Sequence, residues 1–367
     1  MTVVLPTHIV MFENIYNRYM LSRMRQRDIA NIKGKCAVCE LTPLSQAQKA
    51  DIQQFYQRLV GQKVPTYWHE YFYSRNGQFS VCYVPTSLYH TDVVYRLNNF
   101  QLRHAYVDKG IYDIYFPDVN RPATIIKNMN GYFYDGRKAI SRAEALEHCQ
   151  DLSRAVIKPT QEGMWGEGVR VFSTSQGRVE EDLTVEQLID QYGKNFIIQQ
   201  AVVQHPEMAR LNPTSLNTLR VLSYRQDDEV FILYVVVRIG RAGKSVDNET
   251  AGGINADVDL GTGTIRDCAY GTPSEKRILA TDVGTQLKGF AIPAFAQVLD
   301  TVRDLHLRLP YFNLIGWDFG IDDKGLPVLI EWNRAPDLSQ TAHGPAFGEM
   351  TETIFERIRH LKNTMLR

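Results

Sequence analysis

Three things are scarce in this chain, and each scarcity excludes a class of protein. Neither charge dominates: lysine plus arginine and aspartate plus glutamate number 41 each. No net field would draw in nucleic acid, and no basic run marks a membrane-surface patch. Long apolar runs are missing, the longest being Phe231 to Val237, far too short to cross a bilayer. The first residues, Met1 to His8, carry no basic stretch and no cleavage signature, so no signal peptide is expected. Cysteine is sparse: five residues, at 36, 39, 82, 149 and 268, form an odd, scattered set that reads as reduced thiols. Cys36-Ala37-Val38-Cys39 is a lone CxxC without the second pair that a zinc site needs. These absences predict a soluble cytoplasmic protein that spans no membrane and binds no nucleic acid.

What is present has the length for two or three structural units, 367 residues in all. Residues 11 to about 33 read as an amphipathic helix. Thr42-Pro43 reads as the N-cap and first turn of a second helix that ends near Gly61. An aromatic stretch from Thr66 to Val84 is expected to end in short strands around Gly77. This mostly helical unit, residues 1–100, offers no assignable chemistry. From 101 the texture changes to alternating strands and helices. Strands are expected at 123–128, 155–159, 169–172, 195–201, 217–225 and 230–240. Capping boxes at Ser141…Glu144 and Thr184…Gln187 open two helices. A Gly- and Asp-rich loop is expected over 241–263, a helix over about 292–309, and a last amphipathic helix from about 349. The expected division is 1–100, 101–203 and 204–367.

The most telling segment is the strand pair Leu314 to Ile321 and Leu326 to Asn333, joined by a turn at Asp322-Asp323-Lys324-Gly325. With Lys324-Gly325 as a two-residue loop, Asp318 falls opposite Glu331, and Asn333 shares their face. Two carboxylates paired in this way would lie roughly 5 Å apart and repel each other. A divalent cation with oxygen ligands would hold them, and Asp318, Glu331 and Asn333 form a hard-oxygen set that suits Mg²⁺ better than Zn²⁺. The plainer alternative is a hairpin with a solvated polar face, which Trp317, Phe319, Leu329 and Ile330 argue against.

Two lysines stand in separate strands, Lys127 and Lys158, and Lys158 precedes a loop with glycines at 163, 166 and 168. Such a loop lets backbone N–H groups approach phosphate oxygens, yet it matches neither GxxxxGK[ST] nor GxGxxG. Arg220 and Arg238 sit inside apolar strands, where an arginine must be paired. Each is either a structural salt bridge or a planar clamp for phosphate or carboxylate. Asp247-Asn248, followed by Gly252-Gly253, offers a hinged loop able to close over a substrate.

In order along the chain, Lys127, Lys158 with its glycine loop, Ile197-Ile198-Gln199-Gln200 and Asp318…Glu331-x-Asn333 resemble the ATP-grasp ligases. His205-Pro206-Glu207, Ser215 to Arg220, Arg238-Ile239-Gly240, Val246-Asp247-Asn248…Gly252-Gly253-Ile254 and the Gly316-Trp317-Asp318…Glu331-Trp332-Asn333 pair resemble its sugar-transfer-associated branch. The resemblance runs over about residues 85–345. It implies an α+β fold in which two subdomains grip ATP, preceded by the helical N-terminal unit. It implies that Lys127, Lys158 and Gly163, Gly166 and Gly168 meet the phosphates, and that Gln199, Gln200 and Val202 border the adenine and ribose. Gln199-Gln200 stands where members often carry an acidic residue. Asp318, Glu331 and Asn333 would hold Mg²⁺, and Arg220 and Arg238 would stabilise the transferring phosphoryl group. The implied reaction joins a carboxylate to an amine through an acyl phosphate, releasing ADP and phosphate. An amino acid and a sugar acid of a surface polysaccharide, such as capsule or O-antigen, are the implied substrates. Peptide ligation and a non-catalytic ATP-binding scaffold are the alternatives, and the oligomeric state stays open.

Overall fold

The computed structural model describes residues 7–99, 101–102, 106–161, 168–180, 182–244 and 252–364, with side chains described between 19 and 361. The chain divides into two compact units. One comprises residues 1–98, 273–277 and 337–367, and the other residues 99–272 and 278–336.

The first unit is helical. Helices Thr7–Ala37, Gln46–Val60 and Tyr67–Asn76 are joined in it by the C-terminal helix Thr351–Thr364. The second helix starts later than Thr42-Pro43 predicts. Ser45 is its cap, because Gln48 three residues on completes a capping box that Thr42 has no partner to form. Gly61, at φ 71°, closes that helix as expected. The aromatic stretch ends in no strand. It is helical from Tyr67 to Asn76, since Trp68, Tyr71 and Phe72 recur at helical spacing and bury one face with Ile32 and Tyr83. Arg58 grips Glu352 with two bonds, 2.6 and 3.0 Å, fastening the C-terminal helix to the second.

The second unit contains two six-stranded antiparallel sheets. In chain order the strands are β1 (Thr124–Met129), β2 (Tyr132–Asp135), β3 (Lys138–Ile140), β4 (Leu152–Pro159), β5 (Arg170–Thr174), β6 (Arg178–Glu180), β7 (Leu183–Thr184) and β8 (Phe196–Gln200). Then follow β9 (Thr218–Gln226), β10 (Glu229–Ile239), β11 (Ile254–Val258), β12 (Ile265–Tyr270), β13 (Leu314–Ile321) and β14 (Pro327–Asn333). The first sheet runs β3-β2-β1-β8-β4-β5 and the second β12-β11-β10-β9-β13-β14, with β6 and β7 forming a small ribbon. Ile126, Ile157 and Ile198 turn one face of the first sheet onto helices Arg142–Glu147 and Val185–Tyr192, both opened by the expected capping boxes. The opposite face carries the lysines. The second sheet buries Val221, Val235, Val237, Trp317 and Phe319 with helix Phe295–Leu307.

Two expectations fail here for physical reasons. Residues 241–263 are not all loop, because β11 lies inside them with every residue buried. Asn255 and Asp257, poor strand formers by composition, conceal it, and pairing on both sides overrides their propensity. The β13–β14 turn is also longer than expected. Asp322 N donates to Leu326 O, leaving three loop residues, with Gly325 at φ 77°. An irregularity in β14 at Ile330 then adds one residue back, so Asp318 still faces Glu331.

Candidate active site

The register of the second sheet builds the acidic part of the site. Arg220 on β9 pairs with Asp318 on β13, which pairs with Glu331 on β14. Directly paired residues share a face, so the three side chains form one row across three strands. Asp318 is buried, and Arg220 donates to both of its oxygens, from Nε to Oδ1 at 2.5 Å and from Nη2 to Oδ2 at 2.7 Å. Burial works against the Arg220 charge, and the facing Asp318 more than offsets this, holding the guanidinium above its ordinary pKa. Arg238 reaches the same carboxylate from β10 at 3.6 Å, and Asn333 Nδ2 donates to Asp318 Oδ2 at 3.3 Å. Both the salt-bridge and the clamp readings of Arg220 therefore begin from one fact: in this state the fork is engaged.

The first sheet supplies cations. Lys127 on β1 and Lys158 on β4 both pair with Ile197 on β8, so the two lysines flank it on one face. A third lysine joins them that sequence reading missed. Lys109, in the short 3₁₀ turn Lys109–Ile111, lies 3.1 Å from Glu331. Its own N–H donates to Thr160 O at the end of the Lys158 strand. Burial would raise the Glu331 pKa, but Lys109 and then Lys158 pull it well below the usual carboxylate range. Lys158 is also lowered, to about 8, by burial and then by repulsion from Lys109, with Glu331 acting in the opposite sense, so here the neutral form gains. Asp108 was the available signal for Lys109, an aspartate cap two residues before a glycine whose N–H it accepts.

Of the remaining expected residues, Gln199 is buried and donates to Pro122 O at 3.2 Å; Gln200 is exposed and Val202 partly buried. Gly168 adopts φ 80°, and a Cβ there would lie 3.1 Å from the Pro159 ring. Gly252 takes φ 90° and Gly253 leads into β11. Gly163, Gly166, Asp247 and Asn248 lie outside the described residues. A cavity of about 300 Å³ opens beside the lysine face, lined among others by Lys109, Asp113, Arg121, Thr124, Lys127 and Ile197.

Among the described residues no group of three or more His, Cys, Asp or Glu side chains forms a metal cluster. A cation would therefore rely on two carboxylates and one amide. The donors fit Mg²⁺: all are hard oxygens, and Asp318 and Glu331 are directly paired. With Asn333 Nδ2 turned to Asp318, the amide oxygen is its other polar atom. Both carboxylates are now balanced by side-chain cations, Arg220 and Lys109.

Two antiparallel sheets of this topology, one bearing lysines and the other a carboxylate row, place the molecule among the ATP-grasp proteins, an α+β class preceded here by a mostly helical N-terminal region. The chain belongs to the sugar-transfer-associated ATP-grasp family, whose model matches residues 108–354. Members of the ATP-grasp ligase class are ATP-dependent enzymes. No curated protein sequence matches the chain. Solved structures similar to it include the ATP-grasp ligase PsnB with its minimal precursor (11% identity, 72% of this chain and 64% of that one, TM-score 0.40). D-alanyl-alanine synthetase A from Vibrio cholerae O1 biovar eltor is another (16% identity, 72% and 66%, TM-score 0.39). L-amino acid ligase from Bacillus licheniformis is a third (11% identity, 70% and 48%, TM-score 0.38). The chain thus spans less than two thirds of the PsnB ligase's length. PsnB has also been solved with Mg and ADP. No helix among the described residues is long and apolar enough to cross a membrane.

Proposed function

We propose that this protein is an ATP-dependent carboxylate–amine ligase working through an acyl phosphate, and that it joins an amino acid to a sugar acid in surface-polysaccharide assembly. The observation that carries the reading is the 3.1 Å approach of Lys109 to Glu331, in one row with Asp318 and Arg220 and with Arg238 3.6 Å from Asp318. Cations on two sheets facing a carboxylate row are what a triphosphate and an anionic acceptor need to approach each other.

In this reading Lys158 and Lys109 bind the phosphates, with Gly163, Gly166 and Gly168 covering them. Gln199, Gln200 and Val202 border the adenosine. Asp318, Glu331 and Asn333 would hold Mg²⁺, which when bound screens phosphate charge and orients the oxygens. Arg238, whose single approach to Asp318 is long at 3.6 Å, turns to the transferring phosphoryl group and the acceptor carboxylate. Arg220 stays with Asp318 and fixes its orientation. Asp247, Asn248, Gly252 and Gly253 form the substrate loop. The carboxylate oxygen attacks the γ-phosphorus and ADP leaves. The amine then attacks the acyl carbon, phosphate leaves, and the amine proton passes to solvent.

The test is a hydroxylamine trap with Mg-ATP and a panel of amino acids and uronic acids. Hydroxamate together with ADP supports the ligase and identifies the carboxylate. AMP overturns the acyl-phosphate route, and ADP released without any acid dependence overturns the ligase. Activity confined to amino acid pairs replaces the sugar acid with peptide ligation.

A further inference from the structure

Residues 108–116 form a bracket tied down at several points. Asp108 Oδ1 accepts the Gly110 N–H at 2.8 Å. Lys109 N donates to Thr160 O at 2.8 Å, fastening the bracket to the end of the Lys158 strand. Trp332 N donates to Tyr112 Oη at 3.3 Å, fastening it next to Glu331. Lys127 supplies the remaining tie. Its ammonium donates to Gly110 O at 2.6 Å and to Asp113 Oδ1 at 3.0 Å, and the residue is only 5% exposed. The seat is tight: a Cβ on Gly110 would lie 3.0 Å from Asp108 Oδ1 and 3.1 Å from Met129 Sδ. From this bracket the Lys109 side chain extends to Glu331.

We propose that Lys127 is a positioning residue, acting through Gly110 and Asp113 to hold Lys109 between Glu331 and the Lys158 strand, and not itself a phosphate contact. The inference rests on the ATP reading above. An ammonium has three donors, and two of Lys127's are committed inside the protein. Turning to a phosphate would leave the buried Gly110 carbonyl without its Lys127 donor and Asp113 with Arg137 alone, 3.8 Å away, a costly exchange at the carbonyl. Lys109 faces a different balance. It is paired with a carboxylate of the proposed metal set, so its charge is aimed where the phosphates would come.

The experiment measures binding of a non-hydrolysable ATP analogue by calorimetry to the wild type, Lys109→Met, Lys127→Met, the double variant, Lys127→Arg and Asp113→Asn. Positioning predicts that Lys127→Met and Asp113→Asn each weaken binding about tenfold. It predicts that Lys127→Met costs nothing further once Lys109 is gone, and that Lys127→Arg, which keeps charge and donors, restores binding. A direct phosphate contact predicts the reverse: losses at 109 and 127 multiply, and Asp113→Asn binds as well as wild type or better. That result overturns the proposal. If Lys127→Met does not fold, Asp113→Asn decides the question. A wild type that binds no nucleotide overturns the ATP reading and this inference together, whereas a wild type that binds while the losses multiply overturns this inference alone.

Discussion

Glu331 and Lys158 are each made unusual by the other's neighbourhood. Glu331→Gln keeps the shape of the side chain but leaves Lys109 and Lys158 facing no carboxylate there. Turnover should fall by about 100-fold to 1,000-fold, the range seen when one well-placed electrostatic group is lost. Thermal melting should fall as well, because a carboxylate held below its usual range stabilises the folded state at neutral pH, and near-wild-type turnover would remove Glu331 from the site. Lys158 gives a pH signature. Its pKa of about 8 lies below the ordinary 10.5, so over that interval the folded state holds fewer protons than the unfolded one. The strain of its buried charge is full below about pH 8 and fades as pH rises toward 10.5. Function runs the other way, because neutral Lys158 no longer attracts phosphate. We expect kcat/KM for ATP to decline above about pH 8, as a single proton loss in the free enzyme. Lys158→Arg should flatten that limb, and an unchanged profile would assign the limb to another group. The two arginines separate by the same logic. Removing Arg220 as Arg220→Met strands a buried carboxylate and should cost about 3–5 kcal/mol in urea denaturation. Arg238→Lys should leave stability within about 1 kcal/mol while lowering kcat severely, since a point charge does not reproduce a fork.

At the level of elements, the site depends on how β13 is seated. Gly316 faces Asn333 across the β13–β14 pair, and a Cβ on it would lie 2.4 Å from the Pro336 ring and 3.3 Å from Arg220 Cδ. Gly316→Ala must therefore push either the chain leaving β14 or the arginine that holds Asp318. We expect about 1–3 kcal/mol of destabilisation with loss of activity, read by urea unfolding and ATP turnover. Wild-type stability would mean that Pro336 yields freely. Much of this arrangement was legible beforehand. The positions of β1, β4, β5, β8, β9, β10, β13 and β14 followed from period, but the short strands β2, β3, β6 and β7 and the strand β12 were not read, and the pairing of Asp318 with Glu331 followed from counting through a hairpin. That count came out right through two offsetting features, a three-residue turn and an irregularity at Ile330. Neither has a strong local signal, since Gly325 suits either turn. β11 was hidden because Asn255 and Asp257 are strand residues by pairing and not by propensity. Lys109 was missed for a related reason. It lies far from Glu331 in sequence, in a single turn with no periodicity of its own, and the contact arises only from tertiary ties to Thr160 and Trp332.

For the molecule as a whole, the division into two units has a consequence for ligand binding. Every described residue proposed here to meet ATP or Mg²⁺ belongs to residues 99–272 and 278–336. Unit 1 has its own packing, around Trp68, Tyr71, Phe72 and Tyr83, and its own ties, such as Arg58 to Glu352 and the Gln340 amide to both backbone groups of Val84. A ligand that binds only the folded state adds about 2.7 kcal/mol to unfolding at one hundred times its Kd. Hydrogen exchange with a saturating non-hydrolysable Mg-ATP analogue shows where that energy falls, because each amide reports the opening of its own region. We expect slowed exchange in β1, β4, β8, β9, β13, β14 and the 108–116 bracket. Helices Gln46–Val60 and Tyr67–Asn76 should exchange as they do without nucleotide. Equal slowing in those helices would mean that the units open together and share the ligand's energy. Slowing in neither unit, at a concentration where calorimetry records binding, would move the nucleotide away from the lysine and carboxylate faces and overturn the site.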